Sequence, residues 1–271
     1  MRSIPALLDH VNVASHDDGS RFVETSRLDA IDRLLREEGS PWTLQASGPL
    51  FRLYGRSGCP APAAHPVLVS SHADSDYASH HHQPLVSGRE LVGSFDNSIT
   101  NAVVLGLLLA DRLPHDAVVA FTGDEERESR GARDVVDHLR DTGRDPRAVI
   151  VLDVTDDRFY GNAFTVENWF AKGHAGLPVG ENDFLAHLLA AFDDNVSTVH
   201  HDDAWQDESW TYEEHDVHVV SLCVPTAPAD SSSSRSNWMH GADGVRVNAG
   251  YLPAYADALA RLASHLSAAK G

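Results

Sequence analysis

Lysine is almost absent from this chain. Only Lys172 and Lys270 occur, while 40 acidic residues, 28 of them Asp, outnumber 21 basic ones and give a formal net charge of −19. So acidic a surface makes nucleic acid and anionic membrane poor partners. Two origins fit it: adaptation to high salt, or a GC-rich genome that favours Arg over Lys together with Ala, Gly and Asp. The second fits better. Cysteine is as scarce. Cys59 and Cys223 cannot make a disulfide framework, though a single bridge between them stays open. Long apolar runs are missing too. The N-terminal MRSIPALLDHVNVASHDD has no extended apolar region of the secretory kind, and the longest apolar stretch, Ala102 to Ala110, is far short of a membrane span. A cytoplasmic location is the resulting expectation.

What remains is ordinary for a globular protein: 42% hydrophobic and 23% charged residues over 271 positions, enough chain for a substantial core. No internal repeat and no domain boundary stand out, so residues 1–271 are expected to form a single catalytic domain. The one low-complexity tract, Ser231 to Ser234, reads as a loop.

Ser26 to Gly39 starts on a possible Ser cap, carries apolar residues at helical spacing and stops at Gly. Leu50 to Gly55 and His65 to Asp74 read as strands. Asn97 to Pro114 is a buried helix, Ala117 to Gly123 a strand, Ser129 to Gly143 a helix and Ala148 to Val154 a buried strand. After a less regular segment come a helix in Glu181 to Asp194, a strand in Val217 to Pro225 and a C-terminal helix from about Ala249 to Ala269. Continuous apolar strands alternating with helices predict an α/β protein, a three-layer αβα sandwich around a mostly parallel mixed sheet.

Such sheets bind ligands at the carboxyl ends of their strands. FTGDEE places Glu125 and Glu126 at the end of one strand, and SSHADSD and VLDVTDD place His72 and Asp153 at the ends of two others. SFDNS adds Asp96 at the start of a helix, and NWMHGAD adds His240. Imidazole nitrogens and carboxylate oxygens suit zinc, and two zinc ions could share one carboxylate, a role that fits the short-stemmed Asp96. Asp74, two residues beyond His72 on an extended segment, could accept the proton of its second ring nitrogen and fix the tautomer. Each residue alone has a plainer reading: a structural His72, a capping Asp96, a turn-forming Asp153, a solvated Glu126. That three of them fall at strand ends argues against coincidence.

The order His-x-Asp, Asp-Asn, Glu-Glu, Asp, His resembles the co-catalytic di-zinc exopeptidases, a group that includes bacterial leucyl aminopeptidases and the tetrahedral and glutamyl aminopeptidases. The likeness runs from about Val67 to Val247, and WMHGAD carries His240. It implies a metal-dependent aminopeptidase in which His72, Asp96 and Asp153 hold one metal and Asp96, Glu126 and His240 the other. Glu125 would be the general base acting on the bridging water, and Asp124 would only shape the turn. The metals would be zinc, with cobalt or manganese as alternatives. The substrate's free amino group would meet Asp207 or Glu208.

The tetrahedral branch inserts a large domain between its first His and its bridging Asp. Here only residues 73–95 intervene, so a monomer or small homo-oligomer is expected and the dodecameric shell is not. The segment Asp76 to Leu91 would form a loop over the site. His80, His81 and His82, like His200 and His201, read as solvated loop residues rather than ligands. Trp205, Trp210 and Tyr212 could line a substrate pocket or pack in the core. Two other functions compete: an amidohydrolase or deacylase acting on a small N-acyl or aminoacyl metabolite, and an inactive binding protein on the same scaffold.

Overall fold

The computed structural model describes residues 3–12, 25–58, 64–75, 85–170, 192, 197–199, 206–229 and 244–268. A mixed eight-stranded sheet forms its centre. The strands are β1 (Trp42–Gly48), β2 (Phe51–Arg56), β3 (Val67–His72), β6 (Ala117–Thr122), β7 (Ala148–Thr155), β8 (Thr165–Phe170), β9 (Ser197–Val199) and β10 (Val219–Pro225), in the order β1-β2-β6-β3-β7-β10-β8-β9. The inner four, β6-β3-β7-β10, run parallel. β1 and β2 join one side as an antiparallel hairpin, and β8 lies antiparallel to β10 on the other.

Alternate residues of each inner strand feed two cores, because successive side chains point to opposite faces. Val67, Val69, Val119, Phe121, Ile150 and Leu152 face one core. It is covered by α1 (Ile4–Val11), α2 (Thr25–Glu37), α3 (Ser98–Leu109) and the C-terminal helix α6 (Leu252–Ala268). Leu68, Val118, Ala120, Val149 and Val151 face the other, covered by α4 (Arg130–Asp141) and the short α5 (Ser209–Glu214). Burial on both faces explains the uninterrupted apolar strands, and the expected three layers are present. Among the described residues no helix is long and apolar enough to cross a membrane.

Two expectations need correction. The less regular segment contains β8, whose sequence TVENWF carries Glu167 and Asn168 inward at a β-bulge. Polar residues facing a core disguise a strand. Part of the supposed loop over the site is instead the hairpin β4 (Leu85–Ser87) and β5 (Glu90–Gly93). With β11 (Ala227–Pro228) and β12 (Val245–Asn248) it builds a separate four-stranded sheet. The helix expected in Glu181 to Asp194 lies almost wholly outside the described residues.

Candidate metal centre

Strands β6, β3 and β7 are neighbours, so their carboxyl ends deliver side chains to one place. His72 closes β3, Asp153 sits near the end of β7, and Glu125 and Glu126 occupy the turn after β6. Asp96 precedes α3. It does not cap that helix, where Asn97 holds the capping position without a side-chain cap bond. Asn97 Nδ2 instead donates to the Leu152 carbonyl at 2.6 Å, which ties the segment bearing Asp96 to β7. The Asp96–Asn97 peptide is cis.

The His72 ring lies at the middle of the group. Its Nε2 is 3.1 Å from Asp96 Oδ1, 3.5 Å from Asp153 Oδ1 and 3.9 Å from Glu125 Oε2. Its Nδ1 is 3.4 Å from Asp74 Oδ1. Asp74 Oδ2 accepts the Glu126 backbone N–H at 3.1 Å, so one buried carboxylate faces both the His72 ring and the Glu126 turn. Two sets of donor atoms lie close enough to hold an ion: His72 with Asp96 and Asp153, and His72 with Glu125 and Glu126.

That turn is shaped by Asp124, as the sequence suggested. Its φ is +67°, and its carbonyl accepts the N–H groups of Arg127, Glu128 and Ser129. Its carboxylate makes a two-pronged ion pair with Arg130 at 2.7 and 2.8 Å, which holds it below the usual carboxylate range against the effect of burial. Gly131, the second residue of α4, lies directly against the turn. A Cβ there would come within 2.5 Å of the Leu50 carbonyl oxygen and 2.6 Å of the Gly123 backbone.

The electrostatics of the group ask for a cation. Burial, and then the neighbouring carboxylates, push Glu125 well above its ordinary value. Burial likewise raises Asp153, to about 7, although His72 opposes it. Burial disfavours the His72 imidazolium, yet Glu125 and Asp153 outweigh it and the ring is pushed well above its ordinary value. Crowded buried carboxylates either take up protons or meet positive charge. The nitrogen and oxygen donors present therefore fit divalent metal ions.

Beside the group opens a cleft of about 340 Å³, lined in part by Glu125, Glu126, Arg133, Asp207, Trp210 and Glu214. Asp207 faces it, with one carboxylate oxygen held by the Ser209 N–H at 2.8 Å. Glu208 does not face it. It is buried between β3 and β6, accepting from Ser70 at 2.7 Å and Thr122 at 2.5 Å, with Tyr212 donating to Ser70 at 2.9 Å. Of the three aromatics, Trp210 lines the cleft, Tyr212 is core, and Trp205 lies outside the described residues. His240, Cys59, His80, His81, His82, His200 and His201 also lie outside them, whereas Cys223 is a buried free thiol on β10.

Burial pushes Glu208 up to about 7. A carboxyl raised in the fold stabilises it fully below its ordinary value near 4, and that contribution is lost as pH rises through 7. Glu208→Gln cannot ionise, so its melting temperature should fall less steeply than the wild type's between pH 5 and 8. Parallel melting curves for the two proteins would contradict this.

No family model matches the sequence, nor does any curated protein. Solved structures do match. The LapA aminopeptidase of Legionella pneumophila superposes with a TM-score of 0.59 at 14% identity, over 99% of this chain and 69% of that one. An aminopeptidase from the archaeon Desulfurococcus kamchatkensis gives 0.62 at 10% identity, over 99% and 97%. The dodecamer PhTET1-12s gives 0.65 at 10% identity, over 97% and 99%. The chain shares the fold of these proteins.

Proposed function

We infer that this protein is a metal-dependent aminopeptidase that hydrolyses N-terminal peptide bonds, acting as a single catalytic domain over residues 1–271. One observation carries the reading: an imidazole and several carboxylates converge, buried, at adjacent strand ends of a fold shared with aminopeptidases. His72, Asp96 and Asp153 would hold one ion, and Asp96, Glu126 and His240 a second. Zinc fits the donors best, and cobalt or manganese could replace it. When bound, the pair would supply Lewis acidity at the scissile bond.

The chain's own residues do the rest. Glu125, beside the ligands and facing the cleft, takes a proton from the attacking water and returns it to the leaving amine. Asp74, with Oδ1 3.4 Å from His72 Nδ1, would orient the ring so that Nδ1 carries the proton and Nε2 presents its lone pair. Asp207, on the cleft wall, is placed to meet the substrate's ammonium group. The short connection over 73–95 favours a monomer or small oligomer, and the low cysteine content favours the cytoplasm.

Aminoacyl amides and short peptides should be cleaved by the metal-loaded protein and N-acyl amino acids should not. Activity on the acylated compounds alone would make it a deacylase. A protein with no bound divalent ion and no activity on either set would be a binding protein.

A further inference from the structure

Arg27 is the one arginine among the largest fully buried side chains, with 2% of its surface exposed. Among the described residues it forms no ion pair. Its guanidinium meets backbone: Nε donates to the Val11 carbonyl at 2.9 Å, and Nη1 to the Asp74 carbonyl at 3.2 Å. Burying a permanent charge is costly, so the position calls for an explanation. The Val11 contact satisfies a carbonyl at the end of α1 that has no helical partner. The Asp74 contact reaches the candidate centre.

Asp74 faces that centre in two directions, toward the His72 ring and the Glu126 backbone. The residue after it, Ser75, donates to the Asp96 carbonyl at 2.7 Å. The end of α1 reaches the same region, since Asn12 Oδ1 accepts from Ser98 Oγ at 2.6 Å. Arg27 thus stands behind the segment against which three of the donor residues are set. A planar guanidinium can hold two carbonyls at fixed angles, which an ammonium cannot.

We propose that Arg27 is a positioning residue of the metal centre, which holds the Asp74 carbonyl and so fixes the Asp74 carboxylate between His72 and Glu126. The proposal rests on the metal-hydrolase reading above. A merely structural Arg27 would pin α1 and α2 to the sheet without touching metal affinity.

The test measures zinc affinity by chelator competition, the melting temperature of the metal-free protein, and kcat and KM, for Arg27→Met, Arg27→Lys and Leu8→Ala. Leu8→Ala, a buried truncation in α1, controls for loosening of the helix pair. Arg27→Met should weaken zinc binding by about 10- to 100-fold, the range for residues that orient ligands, and should lower kcat with little change in KM. Arg27→Lys should fall between it and wild type. Leu8→Ala should lower the melting temperature and leave zinc affinity unchanged. In an Asp74→Asn background, Arg27→Met should add little.

Wild-type zinc affinity in Arg27→Met, or full additivity with Asp74→Asn, would overturn the proposal. Should Arg27→Met fail to fold, unchanged affinity in Arg27→Lys would do the same. A wild-type protein that binds no zinc would instead remove the metal-hydrolase reading, and the proposal with it.

Discussion

Glu125→Gln is expected to lower kcat by about 100- to 10,000-fold, the usual contribution of a positioned general base, while zinc content stays at the wild-type level. Gln keeps the shape and hydrogen-bonding reach of Glu and cannot accept the proton. The environment suits Glu125 to the task, because burial raises its carboxyl well above its ordinary value and so makes it a stronger base. Bound cations would draw the neighbouring acids down again and leave desolvation as the main influence. Glu126→Gln should behave differently, losing zinc as well as activity, since we assign Glu126 to the metal. Full activity in Glu125→Gln would end the proposed mechanism, and zinc loss in that variant would exchange the roles of the two glutamates.

Removal of metal should abolish activity and destabilise the fold, and the second effect should grow with pH. At a free-ion concentration about 1,000 times the dissociation constant, binding stabilises by about 4 kcal/mol. In a chain of this length that corresponds to a shift in Tm on the order of 10 °C. The sign of the pH effect follows from the directions of the shifts. Asp153 and Glu125, both raised in the metal-free fold, stabilise it while protonated and lose that contribution as pH climbs through their folded values, about 7 for Asp153. His72, also raised, acts in the same direction at higher pH. Metal binding runs the other way, because its ligands must be deprotonated. The gap in Tm between loaded and chelated protein should therefore widen from pH 5 to 8. A gap that is constant, or that narrows, would mean the buried acids are not the ligands.

Much of this arrangement was legible in the sequence, and for a physical reason. Strands buried on both faces must be largely apolar, so β3, β6, β7 and β10 stood out, and the polar residues at the ends of β3, β6 and β7 marked the side chains that converge at the candidate centre. Elements that break that pattern stayed hidden. β8 turns Glu167 and Asn168 inward, and the small sheet is assembled from strands of two to four residues. Glu208, a candidate from the sequence for meeting the substrate's amino group, is instead enclosed by hydroxyls. Arg27 left a trace that composition masks. It was not singled out in the sequence, although it shares a helical face with Ile31 and Leu34, both buried.

The adjacency of β6, β3 and β7 bears on how such a protein can drift. Parallel neighbours lie about 4.8 Å apart, whatever side chains they carry. The lateral spacing of His72, Asp153 and the Glu125–Glu126 turn is therefore dictated by the backbone ladder. Any apolar sequence able to fill the two cores would keep the same spacing. Very different sequences can therefore carry the same shape, and the chain shares its fold with solved structures at 10–14% identity over nearly its whole length.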